Sequence, residues 1–204
     1  MLSGIEIIKA SKHWDKKTNS DLQKWFKKYS VWFETSPMGR KEGEGVNNHG
    51  TYYKAQLAAF SRFVGDDAKV KKILQSYITP MFDLQFNASG AQPYELRRVF
   101  STRYSFFNLQ GVMYLAKLGQ SYGIDLWRHK NKSGAGIQTA VDFLIPLALN
   151  PKDDQSPAGL LPLLEDAENI YGGKKKYGNA IKKIRELTNG GDSLAEWILW
   201  NPEW

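Results

Sequence analysis

Residues 20–33 read Ser20-Asp-Leu-Gln-Lys-Trp-Phe-Lys-Lys-Tyr-Ser-Val-Trp-Phe33. Leu22, Trp25, Phe26, Tyr29, Trp32 and Phe33 recur at helical spacing, with Lys24, Lys27 and Lys28 on the other side, which is the period of an amphipathic α-helix. Ser20 and Gln23 fit the capping box that opens such a helix. The same period returns downstream. Tyr53, Leu57, Phe60 and Val64 line one face from Thr51 until Gly65 stops it. Asp66 and Asp67 can cap the next helix, whose Val70, Ile73, Leu74, Tyr77 and Ile78 precede a break at Pro80. A later helix places Phe107, Val112, Leu115, Ala116 and Leu118 on its inner side, and others follow near 137–149, 160–171, 174–187 and 193–200. No strand-like alternation runs long enough to count. The pattern predicts an all-α fold of antiparallel helical hairpins joined by loops of unequal length, without the close repeats of a solenoid.

Two turn-rich stretches interrupt the helices. Residues 36–50, SPMGRKEGEGVNNHG, hold four Gly and one Pro and predict a long loop. Residues 86–93, FNASGAQP, predict a second. Asn87-Ala-Ser89 within it fits a glycosylation pattern, a three-residue match that most sequences carry by chance.

Composition narrows the chemistry. The 204 residues, 42% of them hydrophobic, suffice for one domain with its own core. The absence of Cys removes disulfides, thiolate nucleophiles and Cys-based metal sites. Lys and Arg outnumber Asp and Glu by 28 to 21, a net charge of +7 that biases encounters toward polyanions: nucleic acid, anionic membrane or acidic polysaccharide. Seven Trp, ten Tyr and ten Phe suit base stacking and sugar stacking equally. No stretch approaches the roughly 20 apolar residues of a membrane span. The first ten residues lack the layout of a signal peptide and read as a helix entered in mid-stride, as in a chain that begins inside a longer product.

Asn47-Asn48-His49 closes the first loop just before a helix. Two amides and an imidazole, with the first N–H groups of the helix behind them, suit a carboxylate. Taken alone, Asn48 as a helix cap and His49 as a surface residue is the plainer reading. Arg97, Arg98 and Arg103 precede Tyr104, and a solvent-facing basic helix start with Tyr104 in the core competes evenly with a functional cluster. Together the two groups supply what proton abstraction beside a carboxylate needs: charge neutralisation, a base and an acid.

Gly39-Arg40, Asn47-Asn-His-Gly-Thr-Tyr-Tyr53, Gln92-Pro-Tyr-Glu-Leu-Arg-Arg98 and Tyr104-Ser-Phe-Phe-Asn-Leu109 resemble the consecutive signature blocks of the alginate lyase superfamily, the mannuronate lyases and their polyuronate-lyase relatives. The resemblance runs from about the first helix to beyond Trp127. It implies an incomplete (α/α) toroid that cleaves a 1,4-linked polyuronate by β-elimination, with no metal and no organic cofactor. By position, Asn48 and His49 match the pair that meets the uronate carboxylate, and Tyr104 matches the catalytic tyrosine. Arg98 holds the arginine position, while Arg97 stands where a small residue is usual, so Arg97 and Arg103 stay candidates. Asn47, Tyr53 and Arg40 join them as substrate-binding candidates within the matching blocks.

The resemblance implies an anionic polysaccharide as partner, not nucleic acid or a membrane, and a periplasmic or secreted location. Residues 1–204 are read as one helical domain, truncated at its N-terminal side relative to longer family members. A non-catalytic binder of acidic polysaccharide and a basic helical nucleic-acid binder are the competing readings, and no nucleic-acid motif supports the latter. The preferred uronate, mannuronate, guluronate or glucuronate, and the oligomeric state are not legible. His13 and His129 lack partners at ligand spacing. Lys174, Lys175, Lys176, Lys182 and Lys183 read as a solvated face. Trp127 reads as core. Trp197, Trp200 and Trp204 read as a packing face, with a sugar platform as the minority alternative.

Overall fold

The structure, a computed structural model, describes residues 2–151 and 156–189. Every regular element among them is helical. The order is α1 (Leu2–Ile8), α2 (Lys16–Thr35), α3 (Pro37–Gly43), α4 (Asn48–Phe63), α5 (Asp67–Ser76), a π-helical turn (Tyr77–Phe82), α6 (Asp83–Gln85), α7 (Pro93–Leu96), α8 (Ser101–Gln120), α9 (Ile137–Leu149), a 3-10 turn (Pro157–Leu160), α10 (Leu161–Tyr171) and α11 (Lys174–Leu187). The all-α reading holds, and several boundaries move.

Helix α2 starts earlier than the Ser20 capping box. Asp15 is the cap, its carboxylate accepting the Thr18 N–H at 2.6 Å, and Ser20 lies inside the helix. The first long loop contains α3, because Ser36 caps it through the Gly39 N–H at 3.1 Å and Pro37 fills the first position, where a missing N–H costs nothing. Helix α4 begins at Asn48 rather than Thr51. Gly65, at φ +78°, ends that hairpin arm, and Asp66 caps α5 by accepting the Lys69 N–H at 3.0 Å. Pro80 does not break the chain. It is absorbed in the wider π-turn, which accommodates a residue with no N–H. The proposed closing helix at 193–200, with Trp197, Trp200 and Trp204, lies outside the described residues.

Packing is hairpin on hairpin. α4 contacts α2, α3, α5 and α8, α8 contacts α9 and α10, and α11 packs on α9 and α10. The main core joins Leu57, Leu74, Tyr77, Leu109, Met113, Leu118, Trp127, Leu144, Leu163 and Ile184, while Phe26, Phe60 and Phe63 form a smaller cluster under α2. Full burial of such side chains stabilises by roughly 1.5–3 kcal/mol each. Phe107 departs from its expected inner place and is exposed, whereas its neighbour Phe106 is buried. Gly111 lets α4 and α8 approach closely: a Cβ there would lie 2.8 Å from Thr51 Cγ2 and 3.2 Å from Tyr52 Cε2. The lysine run of α11 is exposed, with Lys176 paired to Asp142 at 2.5 Å.

Candidate active site

The site forms where α4 and the α7–α8 segment begin. Asn47 caps α4, its side-chain oxygen accepting the His49 N–H at 3.2 Å, so its carboxamide oxygen shapes the turn. Beneath, Tyr77 donates to Gln85 Oε1 at 2.7 Å, and Gln85 Nε2 donates to Thr51 Oγ1 at 2.6 Å, which ties the π-turn to the first turn of α4. Gly50 is required here, since a Cβ would meet the Gly45 carbonyl oxygen at 1.8 Å. On the other side, Gln92 Nε2 donates to the Ser105 carbonyl at 2.9 Å and Asn108 Nδ2 donates to Gln92 Oε1 at 2.8 Å, pinning the second loop to α8.

Glu95 joins the two halves. Its carboxylate accepts the backbone N–H of Asn48 at 2.6 Å and the Asn48 Nδ2–H at 2.7 Å. Both residues are buried. Burial pushes the Glu95 pKa above the ordinary carboxylate range, against the Asn48 donors and the charges of Arg98 and His49, which pull it down. Asn48 therefore spends one of its two amide hydrogens on Glu95. His49 is half-exposed, with Nδ1 2.6 Å from Glu42 Oε2 on α3. In the neutral ring that contact holds the N–H on Nδ1 and leaves Nε2 as an acceptor.

Arg98 lies over the ring of Tyr104, its guanidinium carbon 4.2 Å from the centroid. Arg97 points elsewhere, over the Tyr94 ring at 5.7 Å. Arg103 is exposed on α8. Asn48, His49, Arg98 and Tyr104 are thus linked through Glu95 and through the Arg98–Tyr104 contact. Two candidates are not brought to them. Tyr53 is a core residue, buried and stacked on Phe33 with centroids 4.6 Å apart. Arg40 donates through Nε to the Thr35 carbonyl at 3.0 Å, at the α2–α3 corner.

Sequence reasoning missed Glu42, Glu95 and Tyr52. Glu95 lies three residues before Arg98, and only its burial against Asn48 sets it apart. Glu42 was hidden by reading α3 as loop. Among the described residues no group of three or more His, Asp or Glu side chains converges as metal ligands do, and no helix is long and apolar enough to cross a membrane.

Helical hairpins that gather an Asn-His pair, an arginine and a tyrosine at neighbouring helix starts define a helical scaffold with one cluster of polar side chains. The alginate lyase family profile matches residues 1–153, and the chain belongs to that family. Its fold is similar to that of an alginate lyase from Bacteroides ovatus, solved by crystallography, with a TM-score of 0.86 at 23% identity, covering 99% of this chain and 55% of that one. The chain therefore spans little more than half the length of that relative. No curated protein matches the sequence.

Proposed function

We propose that residues 1–204 form one helical unit that cleaves a 1,4-linked polyuronate by β-elimination, as a periplasmic or secreted alginate lyase. The observation that carries this is Arg98 against Tyr104, beside an Asn48-His49 pair whose atoms are already oriented by the protein's own carboxylates.

Removing the C5 proton of a uronate places negative charge beside an existing carboxylate. Arg98 and the remaining Asn48 amide hydrogen neutralise that carboxylate and stabilise the enediolate-like transition state, where preorganised donors contribute most. At an effective dielectric of 20, a guanidinium about 4 Å from a unit negative charge contributes an interaction on the order of 4 kcal/mol. The C5–H bond then breaks, its electrons form the C4–C5 double bond, the C4–O4 bond breaks, and O4 takes a proton. On mannuronate both protons lie on one face, and Tyr104 can remove one and deliver the other. On guluronate the faces differ; His49 Nε2, left as an acceptor by the Glu42 contact, takes the C5 proton and Tyr104 serves O4.

The test is ultraviolet absorbance of the unsaturated end during separate incubations with polymannuronate, polyguluronate and glucuronan. Absorbance on mannuronate-rich polymer is the expected result. Glucuronan as the best substrate would move the chain to a glucuronan-type lyase, and silence on all three overturns the reading.

A further inference from the structure

The N-terminal half of α8 carries an aromatic stripe that is only partly covered among the described residues. Phe100, the residue capping α8, and Tyr104 and Phe107 fall at i, i+4 and i+7, one side of a helix, and the buried Phe106, Leu109, Val112 and Met113 lie opposite. One turn further, at Gly111, α4 crosses the stripe and Thr51 and Tyr52 close it. Its two ends are exposed, Phe107 by 40%, Phe100 by 49% and the adjacent Val99 by 86%, while Arg98 lies over the half-buried Tyr104 between them.

Phe107 is a fixed plate. Its ring stacks on Tyr52 with centroids 4.2 Å apart and 17° between planes, and the Tyr52 hydroxyl donates to the Phe107 carbonyl at 3.0 Å. Tyr52 is the more enclosed partner, its pKa pushed far above the phenol range by burial, so the free face is that of Phe107. Residues 97–124 carry Arg97, Arg98, Arg103 and Lys117 and no Asp or Glu. The stripe therefore offers flat apolar faces among positive charges, with Tyr104 between them. Seven residues of helix place Phe100 and Phe107 about 10 Å apart along the axis, the span of two linked pyranose rings.

We propose that Phe100 and Phe107 are sugar-ring platforms on either side of Tyr104, each stacking the C–H face of a uronate residue that flanks the reacting one. This rests on the reading of the site as a polyuronate lyase. Charge complementarity and continuity with that site select an anionic sugar chain as the occupant of the stripe.

Binding is measured without turnover in the Tyr104→Phe chain, by calorimetry with mannuronate oligomers. Phe100→Ala and Phe107→Leu should each weaken the dissociation constant roughly 3- to 10-fold, the range for losing an aromatic face. Phe100→Trp should restore affinity, and Val31→Ala, which removes an exposed apolar side chain from α2, should leave it unchanged. Melting curves accompany each variant. If Phe107→Leu loosens its contact with α4, exposed Phe100 carries the test alone. Affinity unchanged in the phenylalanine variants while the parent binds and the active chain cleaves overturns the platforms and leaves the lyase reading standing. A change in sedimentation in place of sugar affinity would assign the stripe to a second copy of the chain and also overturns them. Failure of the parent to bind or cleave any polyuronate defeats both readings.

Discussion

Glu95 holds Asn48 at two points, its two carboxylate oxygens accepting the backbone N–H at 2.6 Å and the side-chain Nδ2–H at 2.7 Å. The contact spans 47 residues of sequence and fixes the start of α4 to α7, and so the Asn-His pair to the arginine and the tyrosine. Glutamine at this position has one acceptor for two donors, and its own amide must face a donor. Glu95→Gln should therefore lose turnover by about tenfold or more, the scale of one misplaced transition-state donor.

Stability should move differently. Burial raises the folded-state pKa of Glu95 above its unfolded value. Its contribution to stability is then fully present below the unfolded pKa and is lost as pH rises through the folded one. The melting temperature of the wild-type chain relative to Glu95→Gln should be highest in acid and fall on approaching neutrality, where the buried charge is costly. Paired melts from about pH 4 to about pH 8 check the sign; an advantage that grows with pH would contradict it.

The Glu42–His49 pair is exposed enough that its direct contribution to folding is small, at most about 1 kcal/mol. Its work is orientation. Glu42→Gln should leave the melting temperature nearly unchanged and reduce kcat on polyguluronate by about tenfold or more, with a smaller loss on polymannuronate, where Tyr104 can act as both base and acid. Equal losses on the two polymers would remove the base role from His49.

Arg98 and Arg97 are adjacent in sequence and diverge in space, one over Tyr104 and the other over Tyr94. Arg98→Ala should lower kcat/KM far more than Arg97→Ala, and Arg98→Lys should not rescue it, because an ammonium lacks the flat fork that lies along a ring and meets a carboxylate. Tyr104→Phe should abolish the absorbance change by a factor on the order of 100 or more while polymer binding persists. Single-turnover absorbance and calorimetry separate the two effects.

What the sequence made legible was whatever a periodic pattern or a local block records. The 3.6-residue period located α9 and α11 to the residue, and the blocks around Asn48, His49, Arg98 and Tyr104 pointed at the residues that the fold joins. What it hid was decided by distant partners. Tyr53 lies one helical turn beyond His49 in the same block, and only its stack against Phe33 of α2 marks it as a core residue. Phe107 has the side chain of a core residue and lies on the open side of α8, held there by Tyr52 from α4. Glu95 reads as one acidic residue among 21 Asp and Glu, and only its burial against Asn48 singles it out.

Gly111 tests how tightly the two helices fix the site. Alanine is a better helix former than glycine by up to about 1 kcal/mol, so an open position would gain from Gly111→Ala. Here the added methyl would stand 2.8 Å from Thr51 Cγ2 and 3.2 Å from Tyr52 Cε2. Thr51 cannot simply rotate, because its hydroxyl accepts from Gln85 at 2.6 Å, and Tyr52 is stacked on Phe107. Overpacking of this kind costs about 1–3 kcal/mol, which outweighs the propensity gain, and the relief available is to push α4 away from α8. Asn48 and His49 would then move relative to Tyr104. Gly111→Ala should therefore destabilise by roughly 1–2 kcal/mol in denaturant and lower turnover on every polyuronate alike. A variant more stable than wild type with full turnover would mean that α4 can shift on α8 without disturbing the chemistry.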